Sequence, residues 1–185
     1  MIRHLMIAAS AVALTACGQT TTTSTTTDNE VRTPQATAPA VNAMSAADFV
    51  QTVANSDAFE IQSSQLANTR AARQEVKDFA AMMVRDHTLT SQQLTALAPQ
   101  IGLPTPTPQL DATKQAQIAS LRGQNGAGFD DAYLDAQVAA HTEAVRLFED
   151  FTANGEPGPL RDWANTTLPK LREHLTHVQG LEDAT

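Results

Sequence analysis

The sequence predicts an all-α protein, specifically a ferritin-like four-helix bundle with a long crossover that contains a short extra helix. Four long stretches carry apolar residues at three- and four-residue steps, and no alternating strand pattern competes with them. Short turns join the first two stretches and the last two, so each pair is expected to form an antiparallel hairpin. The middle joint, from Pro104 to Gly128, is long enough to run back along the bundle, which is the ferritin-like connection.

The first two helices form the first predicted hairpin. The first begins after Ser45, whose side chain suits an N-cap, with the carboxylate of Asp48 near the positive helix end. It continues to Arg70 on an apolar stripe: Phe49, Val50, Val53, Phe59, Ile61, Leu66 and Ala67. After Arg73, the second helix runs to about Gly102 on a similar stripe: Val76, Phe79, Ala80, Met83, Leu94 and Leu97.

The crossover begins in a proline-rich segment and ends in a glycine-rich one, and both compositions indicate irregular backbone. Between them, Ile118 and Leu121 give a short amphipathic helix an apolar face that can dock on the bundle. The alternative is a plain up-and-down bundle with a floppy middle loop. The apolar face argues against that alternative.

The third and fourth predicted helices form the second hairpin. The third extends from about Phe129 to Ala153, and the fourth follows from Leu160. Pro169 lies inside the fourth helix. Because proline lacks an N–H and its ring crowds the preceding turn, we expect it to bend or interrupt this helix.

The N-terminus predicts export and lipidation. Residues 1–16 have the charged-then-apolar order of a secretory signal, and they end in Leu14-Thr15-Ala16 before Cys17, as in bacterial lipoproteins. Ordinary signal-peptide cleavage with a stray thiol is the weaker alternative. Residues 17–43 then form a lipidated cysteine and a disordered Thr/Ala/Pro-rich tether, and residues 44–182 form the bundle.

The net charge and the predicted cellular location together limit the possible binding partners. The formal net charge of −8 disfavours nucleic acid and anionic lipid headgroups, so attachment to a membrane must come from lipid on Cys17. The predicted location is the periplasmic side of the cell envelope, with the outer membrane preferred because Gly18 rather than Asp follows the cysteine. The sequence names no protein partner.

Several short motifs carry a family resemblance over nearly the whole bundle, from about Ser45 to Leu181. They include Phe49-Val50, Glu60-Ile61, Leu66-Ala67, Val76-Lys77-Asp78-Phe79-Ala80, Asp86-His87-Thr88, Tyr133-Leu134, His141, Leu168-Pro169 and Arg172-Glu173-His174-Leu175. In these motifs the chain resembles the bacterial domain-of-unknown-function family 4142. The resemblance implies a ferritin-like fold in a predicted outer membrane or exported protein, often a lipoprotein. It implies no established reaction.

Three histidines and one glutamate are the candidate metal ligands. His87, His141 and His174 each continue an apolar stripe, and Glu60 continues the stripe of the first helix at seven-residue spacing from Val53. Each of the four helices therefore supplies one polar residue able to face inward. Meeting in a bundle core, these residues would suit a mononuclear site for zinc, copper or iron.

A buried polar network is the interpretation that the sequence favours over a metal site. The di-iron pattern of ferritin-like proteins needs paired Glu-x-x-His motifs, but Val84 and Leu171 stand three residues before His87 and His174. No catalytic motif is recognisable, so no catalytic residue and no certain cofactor is assigned. The favoured function is therefore a noncatalytic structural, stress-related or partner-binding lipoprotein. The alternative is a mononuclear metal-binding or metal-dependent redox protein.

Other polar residues near the candidate ligands are predicted to be surface, capping or supporting residues. Asp86 points about 100° away from His87 on an ideal helix, which predicts a solvated or capping charge. Asp130 opens the third helix, where a negative charge suits the helix dipole. His177 and Glu173 are alternative ligands or supporting residues, although surface positions are expected for both.

Overall fold

The computed structural model describes residues 44–184, and all regular secondary structure in that range is helical. The helices are α1 (Ala46–Arg70), α2 (Gln74–Gln100), α3 (Ala112–Arg122), α4 (Ala127–Asn154) and α5 (Pro159–Glu182). The predicted signal peptide, lipidated Cys17 and tether lie outside the described residues. The predicted all-α, ferritin-like bundle is confirmed, with α3 as the short extra helix of the crossover.

The first hairpin begins and turns through specific polar contacts. Ser45 caps α1 by accepting a hydrogen bond from the Asp48 N–H at 3.1 Å, as expected. At the turn into α2, the buried carboxylate of Asp130 accepts hydrogen bonds from the N–H groups of Ala72 (3.0 Å) and Arg73 (2.9 Å). Asp130 lies in the first turn of α4, as expected, and its carboxylate also reaches across to bind free backbone donors before α2.

The crossover is fastened to α1 along its length. The Gln51 side chain donates to the Thr107 carbonyl at 2.9 Å, and the Asn55 side chain accepts from the Gln109 N–H at 2.8 Å. Ile118 packs with Phe59 on α1, and it is buried as predicted. The crossover therefore runs along the bundle rather than looping out at one end.

The helix α5 is continuous across Pro169, so the predicted interruption does not occur. Leu168 and Leu171, on either side of the proline, are both buried in the core. Proline removes one backbone donor, whereas burial of a leucine side chain is worth roughly 1.5–3 kcal/mol. Packing of the apolar stripe therefore outweighs the local preference for a break.

Two apolar clusters occupy the two ends of the bundle core. The first, named the Phe49 cluster, has as its largest members Phe49, Leu94, Phe148, Phe151, Leu168 and Leu171. The second, named the Phe79 cluster, includes Phe79, Met83, Phe129, Tyr133, Leu134 and Val178. Along each of the four long helices, the residues of one cluster are separated from those of the other by buried polar residues.

These intervening residues form a polar layer across the middle of the core. Its buried members are Asp57, Glu60, Ser63, Ser64, His87, Gln137, His141 and His174. Buried polar groups cost free energy unless they are hydrogen-bonded or hold a ligand. The hydrogen-bond partners of each polar atom in this layer therefore indicate whether the layer is a structural network or a ligand site.

Candidate metal centre

Three histidines from three helices meet in the polar layer. His87 on α2, His141 on α4 and His174 on α5 have ring centroids 5.5–5.7 Å apart, which makes a nearly equilateral triangle. Each offers a ring nitrogen, and the three nitrogens lie within 4.8 Å of one another. The side chains are almost completely buried, with exposed fractions of 1–3%. The structure thus brings together the three histidines that the sequence singled out.

The helical stripes explain this convergence. His87 lies four residues after Met83 and seven before Leu94, so it occupies the face that packs into both apolar clusters. His141 and His174 hold equivalent positions on α4 and α5. Because the two hairpins are antiparallel, residues at mid-helix of all four long helices reach the same level of the bundle.

The outer nitrogen of each ring has an oxygen acceptor. His87 Nδ1 lies 2.8 Å from Asp57 Oδ1, and His174 Nε2 lies 3.1 Å from Asp86 Oδ2. Carboxylates are the weaker bases of such pairs, so the proton resides on the imidazole. These contacts set the tautomer of both rings, as carboxylates do for metal-binding histidines.

The third ring is oriented by its own helix. His141 Nδ1 donates to the backbone carbonyl of Gln137 at 3.0 Å, and a carbonyl can only accept. The neutral ring of His141 therefore carries its proton on Nδ1 and a lone pair on Nε2. In its neutral form, each of the three histidines consequently has a protonated outer nitrogen and a bare inner nitrogen.

The inner nitrogens have no hydrogen-bond partner within residues 44–184. They are His87 Nε2, His141 Nε2 and His174 Nδ1, and all three atoms are buried. Three lone pairs that face one another in an apolar core repel, and a donor or a cation between them would remove that repulsion. The arrangement resembles a set of metal-binding histidines whose rings are already oriented by hydrogen-bond acceptors.

Glu60 lies in the same layer but not with the convergent nitrogens. Its Oε1 atom is 3.8 Å from His141 Nδ1, the outer nitrogen, which is too far for a hydrogen bond. Its Oε2 atom is buried without a hydrogen-bond partner among the described residues. Glu60 therefore provides negative charge beside the histidines, and it would need to rotate to become a ligand.

The pKa shifts follow from this geometry. Burial, together with the neighbouring charges of His87 and His141, lowers the pKa of His174 to about 4. Burial also lowers the pKa of His141. For His87, burial opposes protonation, but the hydrogen bond that the ring donates to Asp57 and the charge of Glu60 outweigh it and raise the pKa. At neutral pH His141 and His174 are thus uncharged, the form that binds metals.

Two acidic residues behind the histidines were missed or misread in the sequence. Asp57, which also accepts from Ser91 Oγ at 3.0 Å, was not singled out although it lies four residues after Val53 and three before Glu60. Its spacing on the α1 stripe was a usable signal. Asp86 was expected to be a solvated or capping charge, which was wrong because α5 packs against that side of α2 and places His174 within hydrogen-bond distance.

The alternative ligands lie elsewhere. His177 is exposed and rests edge-on against Phe79, with ring centroids 5.2 Å apart. Glu173 is exposed and pairs with Lys170. The surface positions expected for His177 and Glu173 are confirmed.

The fold and the site together define a helical-bundle protein with a buried three-histidine cluster. The chain belongs to the family described as "Domain of unknown function (DUF4142)", which matches residues 30–181. The resemblance noted from the motifs is therefore confirmed. No curated protein matches the chain.

Two solved structures share the fold. One is described as "CopM in the Cu(II)-bound form", with a TM-score of 0.63 and 14% sequence identity, covering 74% of this chain and 95% of that chain. The other is a putative secreted protein, DUF305, from Streptomyces coelicolor, also with a TM-score of 0.63 and 14% identity, covering 74% of this chain and 91% of that one. At this identity the likeness shows the fold alone.

None of the helices within residues 44–184 combines the length and the apolar character needed to cross a membrane.

Proposed function

We propose that the protein binds one transition metal ion through His87 Nε2, His141 Nε2 and His174 Nδ1. The observation that carries the proposal is the pattern of hydrogen bonds on the three rings. Every outer nitrogen has an acceptor, and every inner nitrogen lacks a partner among the described residues. A network that served only to fix the helix register would gain stability by pairing the inner nitrogens as well.

The spacing of the three nitrogens supports a single ion. Metal–imidazole bonds of about 2.0–2.1 Å place three ligand nitrogens about 3.3–3.6 Å apart. One ring nitrogen of each histidine lies within 4.8 Å of one from each of the other two, so closing such a set on an ion requires each nitrogen to move inward by less than about 1 Å. Small rotations of the three rings and helices are sufficient for a shift of this size.

Copper is the first candidate, with zinc and iron as alternatives. Imidazole ligands suit all three metals, and divalent copper binds a given nitrogen site more tightly than the other two. The neighbour described as Cu(II)-bound shows that a protein of this fold holds copper. The nearby charges of Asp57 and Glu60 would offset the charge of the ion.

Binding rather than catalysis fits the surroundings of the cluster. The histidines are 1–3% exposed, and the cavity that reaches His87 measures only about 10 Å³. A space of that size holds about one water molecule and no organic substrate. We therefore propose that the protein stores, buffers or transfers the metal, with no catalytic residue.

The location proposed for this activity is the cell envelope. Residues 1–16 as signal peptide and Cys17 as lipidation site would place the bundle of residues 44–182 on the periplasmic side, tethered by residues 17–43, preferably at the outer membrane. Radiolabelled palmitate should enter the wild-type protein and not the Cys17→Ser variant. Label that persists in the variant would contradict the lipid anchor.

The competing interpretation is a structural or partner-binding bundle without metal. It is supported by the buried Asp57–His87 hydrogen bond, which contributes to stability whether or not a metal binds. In that case the inner nitrogens are paired by solvent, and no ion is bound with high affinity.

Metal analysis of the full-length protein, expressed without an affinity tag, separates the two interpretations. After chelator treatment and reloading with copper, zinc or iron, one ion per chain should remain bound in the wild type and be absent from His141→Ala. His177→Ala is the matched control, because His177 lies on α5 only three residues after His174 but is exposed. Wild-type protein that retains no metal, or equal retention in His141→Ala, would contradict the proposal.

A further inference from the structure

A groove and a small cavity lie between the surface and His87. The groove, of about 350 Å³, opens between α1, the crossover and α4, and its lining includes Leu110, Asp111 and Glu143. The cavity, of about 10 Å³, is bounded by Asp57 and His87. Ser56, Ala144 and Leu147 line both spaces, so these side chains lie between the groove and the cavity.

The separating side chains differ in their ability to move. Ala144 is buried and has no rotamer freedom, whereas Ser56 and Leu147 are half-buried. Leu147 is the largest of the three, and a leucine on a helix can change rotamer without breaking backbone hydrogen bonds. Rotation of Leu147 would join the groove to the cavity and expose the cavity wall formed by Asp57 and His87.

The charges along this path favour a cation. Asp111 and Glu143 place two carboxylates in the groove against one ammonium, that of Lys114. Lys114 lies 3.6 Å from Glu143 and 4.4 Å from the centre of the Phe59 ring, so its charge is partly engaged. Inside the layer, the next polar groups are the Ser56 hydroxyl and the Asp57 carboxylate, which are oxygen ligands for a cation in transit.

The opposite side of the cluster is less suited to a cation. There the Asp86 carboxylate, 23% exposed, contacts His174 from the surface. Arg85 lies 3.0 Å from Asp86, and Lys170 pairs with Glu173 nearby. These two carboxylates, Asp86 and Glu173, are thus each paired with a cation, which weakens their attraction for a further ion.

We infer that the metal ion reaches the three histidines through the groove between α1, the crossover and α4, and that Leu147 is the side chain that opens for it. The inference rests on the proposed function and adds the route and its gate. It assigns Leu147 an effect on the rate of loading and release, because Leu147 contacts the path and does not coordinate the ion. The number of ions bound at equilibrium should not depend on it.

The test is the rate of copper uptake by full-length apo-protein mixed with Cu(II) sulfate in a stopped-flow instrument, followed by quenching of Trp163, the one tryptophan in the chain. Leu147→Ala should load about tenfold faster, which corresponds to a barrier lower by about 1.4 kcal/mol. Leu147→Phe should load more slowly than the wild type. Leu89→Ala, at an exposed leucine two residues from His87, is the control and should load at the wild-type rate.

Bound copper and melting temperature are measured on the same samples. Opposite rate changes in the two Leu147 variants, with one copper bound in each, support the route. Wild-type rates in both folded Leu147 variants, with one copper bound, overturn the route and leave the metal site intact. Wild-type protein that binds no copper overturns the metal site and the route together.

Discussion

Two groups of buried polar side chains lie in the core and are paired in different ways. Ser64 on α1 and Tyr133 on α4 satisfy each other through a hydrogen bond of 2.7 Å between their hydroxyls. The three histidines are each paired on one ring nitrogen, and the other ring nitrogen of each has no hydrogen-bond partner among the described residues. The hydroxyl pair behaves as a structural contact between helices. The histidine cluster is arranged so that an added ion would complete it.

This comparison shows why burial alone does not identify a site. All five side chains are at most 3% exposed, so exposure does not separate the two groups. The pairing of the atoms does: each histidine keeps one buried ring nitrogen without a partner among the described residues, whereas the hydroxyl pair leaves each oxygen with a partner. Substitutions can therefore disrupt one group while leaving the other intact.

The largest effect is expected from metal binding itself. Copper at a thousandfold excess over its dissociation constant should raise the free energy of unfolding of the wild type by about 4 kcal/mol. His141→Ala should lose this stabilisation, since it removes a ligand, while Tyr133→Phe should keep it. Thermal unfolding with and without copper measures both. Equal stabilisation of wild type and His141→Ala would show that copper acts elsewhere.

A smaller loss is expected when the acceptor behind His87 is weakened. Asp57→Asn keeps the shape of the side chain but removes the charge that orients His87, and loss of such a supporting group typically lowers metal affinity about 10–100-fold. Competition with a chelator of known affinity measures the change. Asp78→Asn is the control, because Asp78 is exposed and accepts only from Gln74 among the described contacts. Unchanged affinity in Asp57→Asn would remove the positioning role of Asp57.

The hydroxyl pair should affect stability and not metal binding. Tyr133→Phe leaves the Ser64 hydroxyl buried without its partner, which should cost about 1–2 kcal/mol of unfolding free energy. Adding Ser64→Ala should recover most of that loss, because both polar groups are then gone. Denaturant unfolding of the two variants measures the effect. Copper affinity that falls in Tyr133→Phe would indicate that the two groups are coupled.

The smallest effect is the pH dependence of the apo-protein. The pKa of His174 is about 4 in the folded state, below its ordinary value of 6.5, so the folded state binds fewer protons in this interval. The contribution of His174 to the free energy of unfolding is therefore complete above pH 6.5 and is lost as the pH falls from 6.5 toward 4. The lowered pKa of His141 adds to the loss, whereas the raised pKa of His87 offsets part of it.

Melting temperatures between pH 7 and pH 4 test this sign. His174→Gln should show a shallower decline than wild type, and His177→Gln should follow the wild-type profile. A decline of the same steepness in His174→Gln and wild type would contradict the assignment to His174.

The architecture and the three histidines could be predicted because they depend on periodicity within single helices. His87 and His141 share their faces with apolar neighbours such as Met83 and Val145, and that is visible in the sequence. The apolar Ile118 likewise predicted that the crossover helix docks on the bundle. Joint lengths then sufficed to choose the topology.

The contacts between helices could not be predicted in the same way. Asp86 accepts a hydrogen bond from His174 because α5 packs beside α2, and the spacing of residues along α2 cannot reveal that contact. Asp130 caps the start of α2 from another hairpin for the same reason. At Pro169 a local signal gave the wrong prediction. Proline favours a helix break, but the helix continues because the leucines on either side of it are buried in the core. Asp57 was within reach of the stripe pattern and was overlooked.

The crystal structure of the copper-loaded protein, with the metal located by its anomalous signal, tests the central claim most directly. We expect one ion bound by His87 Nε2, His141 Nε2 and His174 Nδ1, with the outer nitrogens still held by Asp57, Asp86 and the Gln137 carbonyl. Copper found only on surface residues such as His177, with the three inner nitrogens bonded to water, would contradict it.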